Sequence, residues 1–129
     1  MPGYAVIPSI RVQDVEAAVA FYRDVLGFEM QRSQDVSDNN ALKFGEASIM
    51  IEAASNFYSD AYNAAIRERL GTPSASALYI EAPDLDALYS KVQGAGVRVV
   101  DPLAARDWGQ REFTVEDPEG TWLTFWQAG

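Results

Sequence analysis

Residues 5 to 53 read as strand, helix and three strands, and residues 76 to 127 read the same way again. In the first half AVIPSIRV (5–12) alternates as a strand does, and Pro8 suggests an edge or a bulge. Asp14 then caps a helix in which Val15, Ala18, Val19, Tyr22 and Leu26 fall at helical spacing, and Gly27 sits where a left-handed C-terminal residue is wanted. FEMQRSQ, ALKF and ASIMIEA follow as short strands, separated by DVSDNN and by Gly45-Glu46. In the second half SALYIEA (76–82) precedes a helix from about Leu85 to Gln93, then VRVV, REFTVE and TWLTFWQ. Asp14-Val15-Glu16-Ala17 aligns with Asp84-Leu85-Asp86-Ala87, each about four residues after an Ile (Ile10, Ile80) and each leading to a glycine (Gly27, Gly96). A repeat of this length predicts an α+β fold made of two copies of one βαβββ module.

The modules cover about 1–54 and 74–129 of a single domain, joined by a partly helical linker at about 55–73. In that linker Tyr62, Ala65, Ile66, Arg69 and Leu70 suggest a short helix. The connection is longer than its task requires, so its aromatic residues Phe57 and Tyr58 are expected either to form a lip over a site or to pack the linker down.

A chain of 129 residues with 48% hydrophobic content can bury one ordinary core. Its net charge of -9 repels phosphate backbones and anionic lipid, which argues against nucleic acid and membranes as partners. The same charge serves solubility, or attraction of a cationic ligand. There is no cysteine, hence no disulfide, thiolate nucleophile or sulfur-bound metal. There is no histidine either, which removes the usual general base and the commonest transition-metal ligand. A metal site would have to be built from oxygen donors alone. Neither a P-loop nor a GxGxxG fingerprint occurs, so no nucleotide cofactor is implied. MPGYAVIPSI lacks the features of a signal peptide, and a cytoplasmic location is expected.

Over nearly its whole length the chain resembles the glyoxalase, bleomycin-resistance and extradiol-dioxygenase superfamily. The resemblance is carried by VQDVEAAVAFYRDVLGFE and by DWGQREFTVEDPEGTWLTFW, with the Asp117-Pro118-Glu119-Gly120 turn between strands. It implies two modules rolled into incomplete barrels whose concave faces hold the ligand. Metal-dependent members carry His or Glu at four inward positions, which fall here on Ile7, Glu52, Ala77 and Thr124. Only Glu52 could bind a metal, and one carboxylate does not hold a transition metal in place. The resemblance is therefore closest to the metal-free bleomycin-resistance proteins, homodimers that sequester an antibiotic without altering it. It gives Trp108, in the Trp108-Gly109 pair, a ligand-contacting role; an exposed ring that packs at the barrel mouth is the alternative.

Strand parity then sorts the remaining aromatic residues. Trp122, Thr124 and Trp126 share one face of their strand while Leu123 and Phe125 take the other. With Thr124 inward, both tryptophans turn toward the cleft. The same reasoning places Ile7, Ser9 and Arg11, then Met50 and Glu52, then Ala77, Tyr79 and Glu81 inward. The expected ligand contacts are Ser9, Met50, Glu52, Phe57, Tyr58, Tyr79, Trp108, Trp122, Thr124 and Trp126, with no catalytic residue, metal or cofactor. Such a face suits an aromatic or cationic natural product of the bleomycin, mitomycin or enediyne type. The alternative is a metal-free or atypical-metal glyoxalase-like enzyme that uses Glu52 as its base.

Overall fold

A computed structural model describes residues 6–54, 59–72 and 74–129 of the chain. Two compact units result, Met1–Leu70 and Gly71–Gly129, each built on one four-stranded mixed sheet.

The first unit runs β1 (Ser9–Val12), α1 (Val15–Ala20), a π-helical turn (Phe21–Val25), β2 (Glu29–Gln31), β3 (Asn39–Phe44), β4 (Ala47–Ala53) and α2 (Asp60–Arg69). Its strand order is β1-β4-β3-β2, with β1 parallel to β4 and the other neighbours antiparallel. The second unit runs β5 (Ala77–Glu81), α3 (Leu85–Gly94), β6 (Val99–Ala105), β7 (Gln110–Glu116) and β8 (Trp122–Ala128). Its order, β5-β8-β7-β6 with β5 parallel to β8, repeats the first. The two end strands of each sheet do not pair, so both sheets are open. This is the α+β fold of two βαβββ modules that the internal repeat predicts.

The repeated aspartates start the helices. Asp14 accepts from Ala17 N at 3.0 Å and Asp84 from Ala87 N at 3.2 Å, each satisfying an amide that the first helical turn leaves without a partner. At the far end of the first helix the chain turns through Gly27, whose φ of 88° is strained for any residue with a Cβ, and Phe28 N bonds back to Tyr22 O at 2.9 Å. Parity then decides what is buried. In the first unit Val12, Leu42, Ile49 and Ile51 join Val19, Tyr22 and Leu26 of the helical segment in a core. In the second, Ile80, Phe113, Val115, Leu123 and Phe125 meet Leu85, Leu88 and Val92 of α3. Each such side chain withdrawn from water contributes roughly 1.5–3 kcal/mol.

The Asp117-Pro118-Glu119-Gly120 turn has a compact internal logic. Gly120 N bonds to Asp117 O at 3.1 Å and Asp117 N to Thr121 O at 2.8 Å. The buried Asp117 carboxylate accepts from Glu119 N and Thr121 N at 2.9 and 2.8 Å, and Gly120 takes the left-handed φ of 92° that closes the reversal into β8.

Among the strand limits that differ from the sequence expectation, three have a clear local reason. The first strand covers Ser9–Val12, with residues 6–8 outside it, because Pro8 has no amide to donate; its carbonyl still accepts from Met50 N at 2.9 Å. β2 stops at Gln31, ahead of Arg32 with its positive φ of 64°. β6 runs on to Ala105 through Pro102, which an edge strand tolerates, and its ladder with β7 shifts register between Val99 and Ala104. No described helix is long and apolar enough to cross a membrane.

Candidate functional site

In the second unit the sheet face opposite the core carries three cross-strand rows. Ala77, Trp122 and Glu116 form one, Tyr79, Thr124 and Thr114 the next, and Glu81, Trp126 and Glu112 the third. Tyr79 and Trp126 are diagonal neighbours, and their rings stack with centroids 6.0 Å apart and planes 17° apart. Trp108 joins them from the β6–β7 turn, which is closed by Gly109 N to Arg106 O and Arg106 N to Gln110 O at 3.2 and 2.7 Å.

Carboxylates on β7 hold these rings by their polar ends. Trp108 Nε1 donates to Glu112 Oε2 at 2.9 Å, and the Tyr79 hydroxyl donates to the same oxygen while lying 2.7 Å from Gln110 Oε1. Arg106 Nε stands 3.8 Å from Glu112 Oε1. Four residues along the strand, Glu116 Oε2 accepts from Trp122 Nε1 at 3.0 Å and pairs with Arg98 at 2.8 Å. The hydroxyls of Thr114 and Thr124 bond to each other at 2.7 Å. Trp108, Tyr79 and Trp122 nevertheless remain 64%, 55% and 40% exposed, so their polar ends are satisfied and their apolar surface is left to solvent. A group of aromatic rings in that condition offers stacking area for a flat ring or a cation.

The electrostatics follow from these contacts. The hydrogen bond to Glu112, with that residue's negative charge beside it, raises the Tyr79 phenol above its ordinary value. The indole N–H of Trp122 and the Arg98 guanidinium both favour ionised Glu116 and lower its pKa below the ordinary glutamate value. A depressed carboxylate stabilises the fold above the unfolded-state pKa and loses that contribution as pH falls through the folded one. The stability difference between the wild type and Glu116→Gln is therefore expected to be largest near neutrality and to vanish in acid, as denaturant unfolding across pH will measure.

In the first unit Ser9, Met50 and Glu52 share the corresponding face. Glu52 is only 2% exposed and is already committed: Ser9 Oγ donates to Oε1, Asn39 Nδ2 donates to Oε2 at 2.9 Å, and Arg11 Nε lies 3.9 Å from Oε1. The Arg11 guanidinium in turn bonds Ala53 O at 3.3 Å and lies 5.2 Å from the centre of the Tyr62 ring on α2. These residues do not fit a catalytic metal. Ile7 and Ala77 offer no donor, the Thr124 hydroxyl is bonded to Thr114, and the described residues contain no group of three or more Asp or Glu placed to hold an ion. Nor are Glu52 and Thr124 counterparts. With Ile10 paired to Ile51 and Ile80 to Phe125, Met50 is level with Thr124 and Glu52 with Trp126.

The sequence-selected residues thus gather in two groups: Tyr79, Trp108, Trp122, Thr124 and Trp126 in the second unit, and Ser9, Met50 and Glu52 in the first. Phe57 and Tyr58 lie outside the described residues. Sequence reasoning passed over Arg106, Gln110, Glu112 and Glu116. The alternation of QREFTVE, with Phe113 and Val115 on the core side, was the signal that could have found the three on β7.

The model of the Glyoxalase/Bleomycin resistance protein/Dioxygenase superfamily matches residues 4–125. The chain belongs to this superfamily. Among its similar members is a bleomycin resistance protein from Geobacillus stearothermophilus, 27% identical over 127 residues and covering 94% of each chain; one from Staphylococcus aureus matches equally. Two solved structures share the superfamily fold. TioX from Micromonospora sp. ML1 superposes with a TM-score of 0.73 at 21% identity, over 98% of this chain and 100% of that one. A protein of unknown function from Agrobacterium tumefaciens str. C58 gives 0.76 at 23% identity, over 100% and 97%.

Proposed function

We propose that this chain is a metal-free binding protein that confers resistance by sequestering an aromatic natural product of the bleomycin, mitomycin or enediyne type, as a cytoplasmic homodimer. The observation that carries this reading is the set of tryptophan and tyrosine rings on the open face of the second sheet, tethered by carboxylates at their polar ends and exposed over their apolar surface. Relatives named bleomycin resistance protein, aligned over nearly the full chain, support the ligand class. The two committed oxygens of Glu52 weigh against its use as a free general base.

Metal-free bleomycin, a mitomycin and an enediyne titrated against the protein are the direct test. Stacking on the tryptophans should quench their emission, and Trp108→Ala and Trp126→Ala should each weaken binding of the ligand that quenches by roughly 1–3 kcal/mol with the fold intact. Absence of quenching and of calorimetric heat for all three would refute the reading. Light scattering at micromolar concentration is expected to give the mass of a dimer, and a monomer would remove that part of it.

A further inference from the structure

We propose that Glu112 is the positioning residue of the aromatic face, one carboxylate oxygen fixing the Trp108 indole and the Tyr79 phenol together so that both rings stand ready before a ligand arrives. This deepens the binding role proposed above and rests on it for its purpose, though not for its geometry. Glu112 is 6% exposed, whereas the two rings it serves are largely in solvent. A carboxylate is costly to bury unless it is well bonded, and here the bonds come from a turn residue and from a strand 33 residues away. Arg106, from the same turn as Trp108, balances the charge from the other oxygen. Glu112 also pairs across the ladder with Trp126, on which Tyr79 stacks, so three rings meet at this acid. The rise in the Tyr79 pKa reports the same hydrogen bond.

The arrangement is not a demand of the module itself. The matching row of the first unit sets Asn39 opposite Glu52, and there the carboxylate accepts from the Asn39 amide and the Ser9 hydroxyl. What Glu112 adds is order in exposed rings that would otherwise have to be immobilised when a ligand binds, a cost that preorganisation removes in advance.

The test uses the intact chain carrying Trp122→Phe and Trp126→Phe, so that Trp108 alone emits, with and without Glu112→Leu or Glu112→Gln. Glu112→Leu should keep the far-ultraviolet signature of the fold, lower the emission anisotropy of Trp108, and bring a tyrosine titration down toward the ordinary phenol value. Glu112→Gln, which keeps an acceptor, should restore most of the anisotropy. In the otherwise unaltered chain Glu112→Leu should weaken metal-free bleomycin about tenfold. Unchanged anisotropy and an unchanged tyrosine titration in Glu112→Leu would overturn the proposal. If Glu112→Leu does not fold, Glu112→Ala decides: a lowered Trp108 anisotropy supports the positioning role, and an unchanged one overturns it. A wild type that fails to bind bleomycin while these ligand-free signals move as expected would refute that ligand and leave the positioning role standing.

Discussion

Phe113→Ala is expected to lower the unfolding free energy by about 3–5 kcal/mol, the range for deleting a buried phenylalanine that neighbours cannot replace. Phe113 is completely buried at the centre of β7. Its ring lies 4.9 Å from that of Tyr89 on α3 and 5.6 Å from that of Phe125, its ladder partner on β8. Truncation would open a cavity exactly where helix and sheet meet, and domains of this size hold only about 5–15 kcal/mol in total. Thr114, the next residue, points to the opposite face and bonds Thr124. Thr114→Ala should therefore cost at most about 1.5 kcal/mol, the net value of one hydrogen bond. Denaturant unfolding of both variants checks the face assignment on which the candidate site depends. Equal losses, or a larger loss for Thr114→Ala, would show that core and open face had been exchanged.

What the sequence disclosed and what it withheld divide along physical lines. Asp14 and Asp84 announced two helices because capping is local: an aspartate and the amide three residues on suffice. The alternation of TWLTFWQ likewise sorted Leu123 and Phe125 from Trp122 and Trp126, since side chains on a strand alternate whatever its partners. Features that depend on partners were hidden. Val15, Ala18, Val19, Tyr22 and Leu26 fit an unbroken α-helix, and nothing in their spacing reports that the backbone widens into a π-turn from Phe21. The extension of β6 past Pro102 requires knowing that β6 is an edge. The acids that tether the indoles were hidden for a similar reason. Glu112 reaches Trp108 through the fold of one turn and Tyr79 across a sheet, and neither distance can be read from a single strand.

Glu52→Ala is expected to cost roughly 3 kcal/mol of stability, a loss set by what the glutamate leaves behind. Removing it strips an acceptor from Ser9 and from Asn39 and deletes the carboxylate whose oxygen lies 3.9 Å from Nε of Arg11, a side chain only 5% exposed. A guanidinium so placed is poorly hydrated, and its contacts with Ala53 O and the Tyr62 ring do not neutralise its charge. Glu52→Gln should cost distinctly less, because the amide keeps an acceptor for Ser9 or Asn39 and nearly the same volume. The pair of variants separates two roles for this residue. If Glu52 ties β1, β3 and β4 together, stability falls in the order wild type, Gln, Ala, and binding by the folded fraction hardly changes. If it is a ligand contact, Glu52→Gln folds normally and binds weakly. Unfolding curves read together with calorimetric titration decide between them, and the bonds already made by both carboxylate oxygens favour the first order.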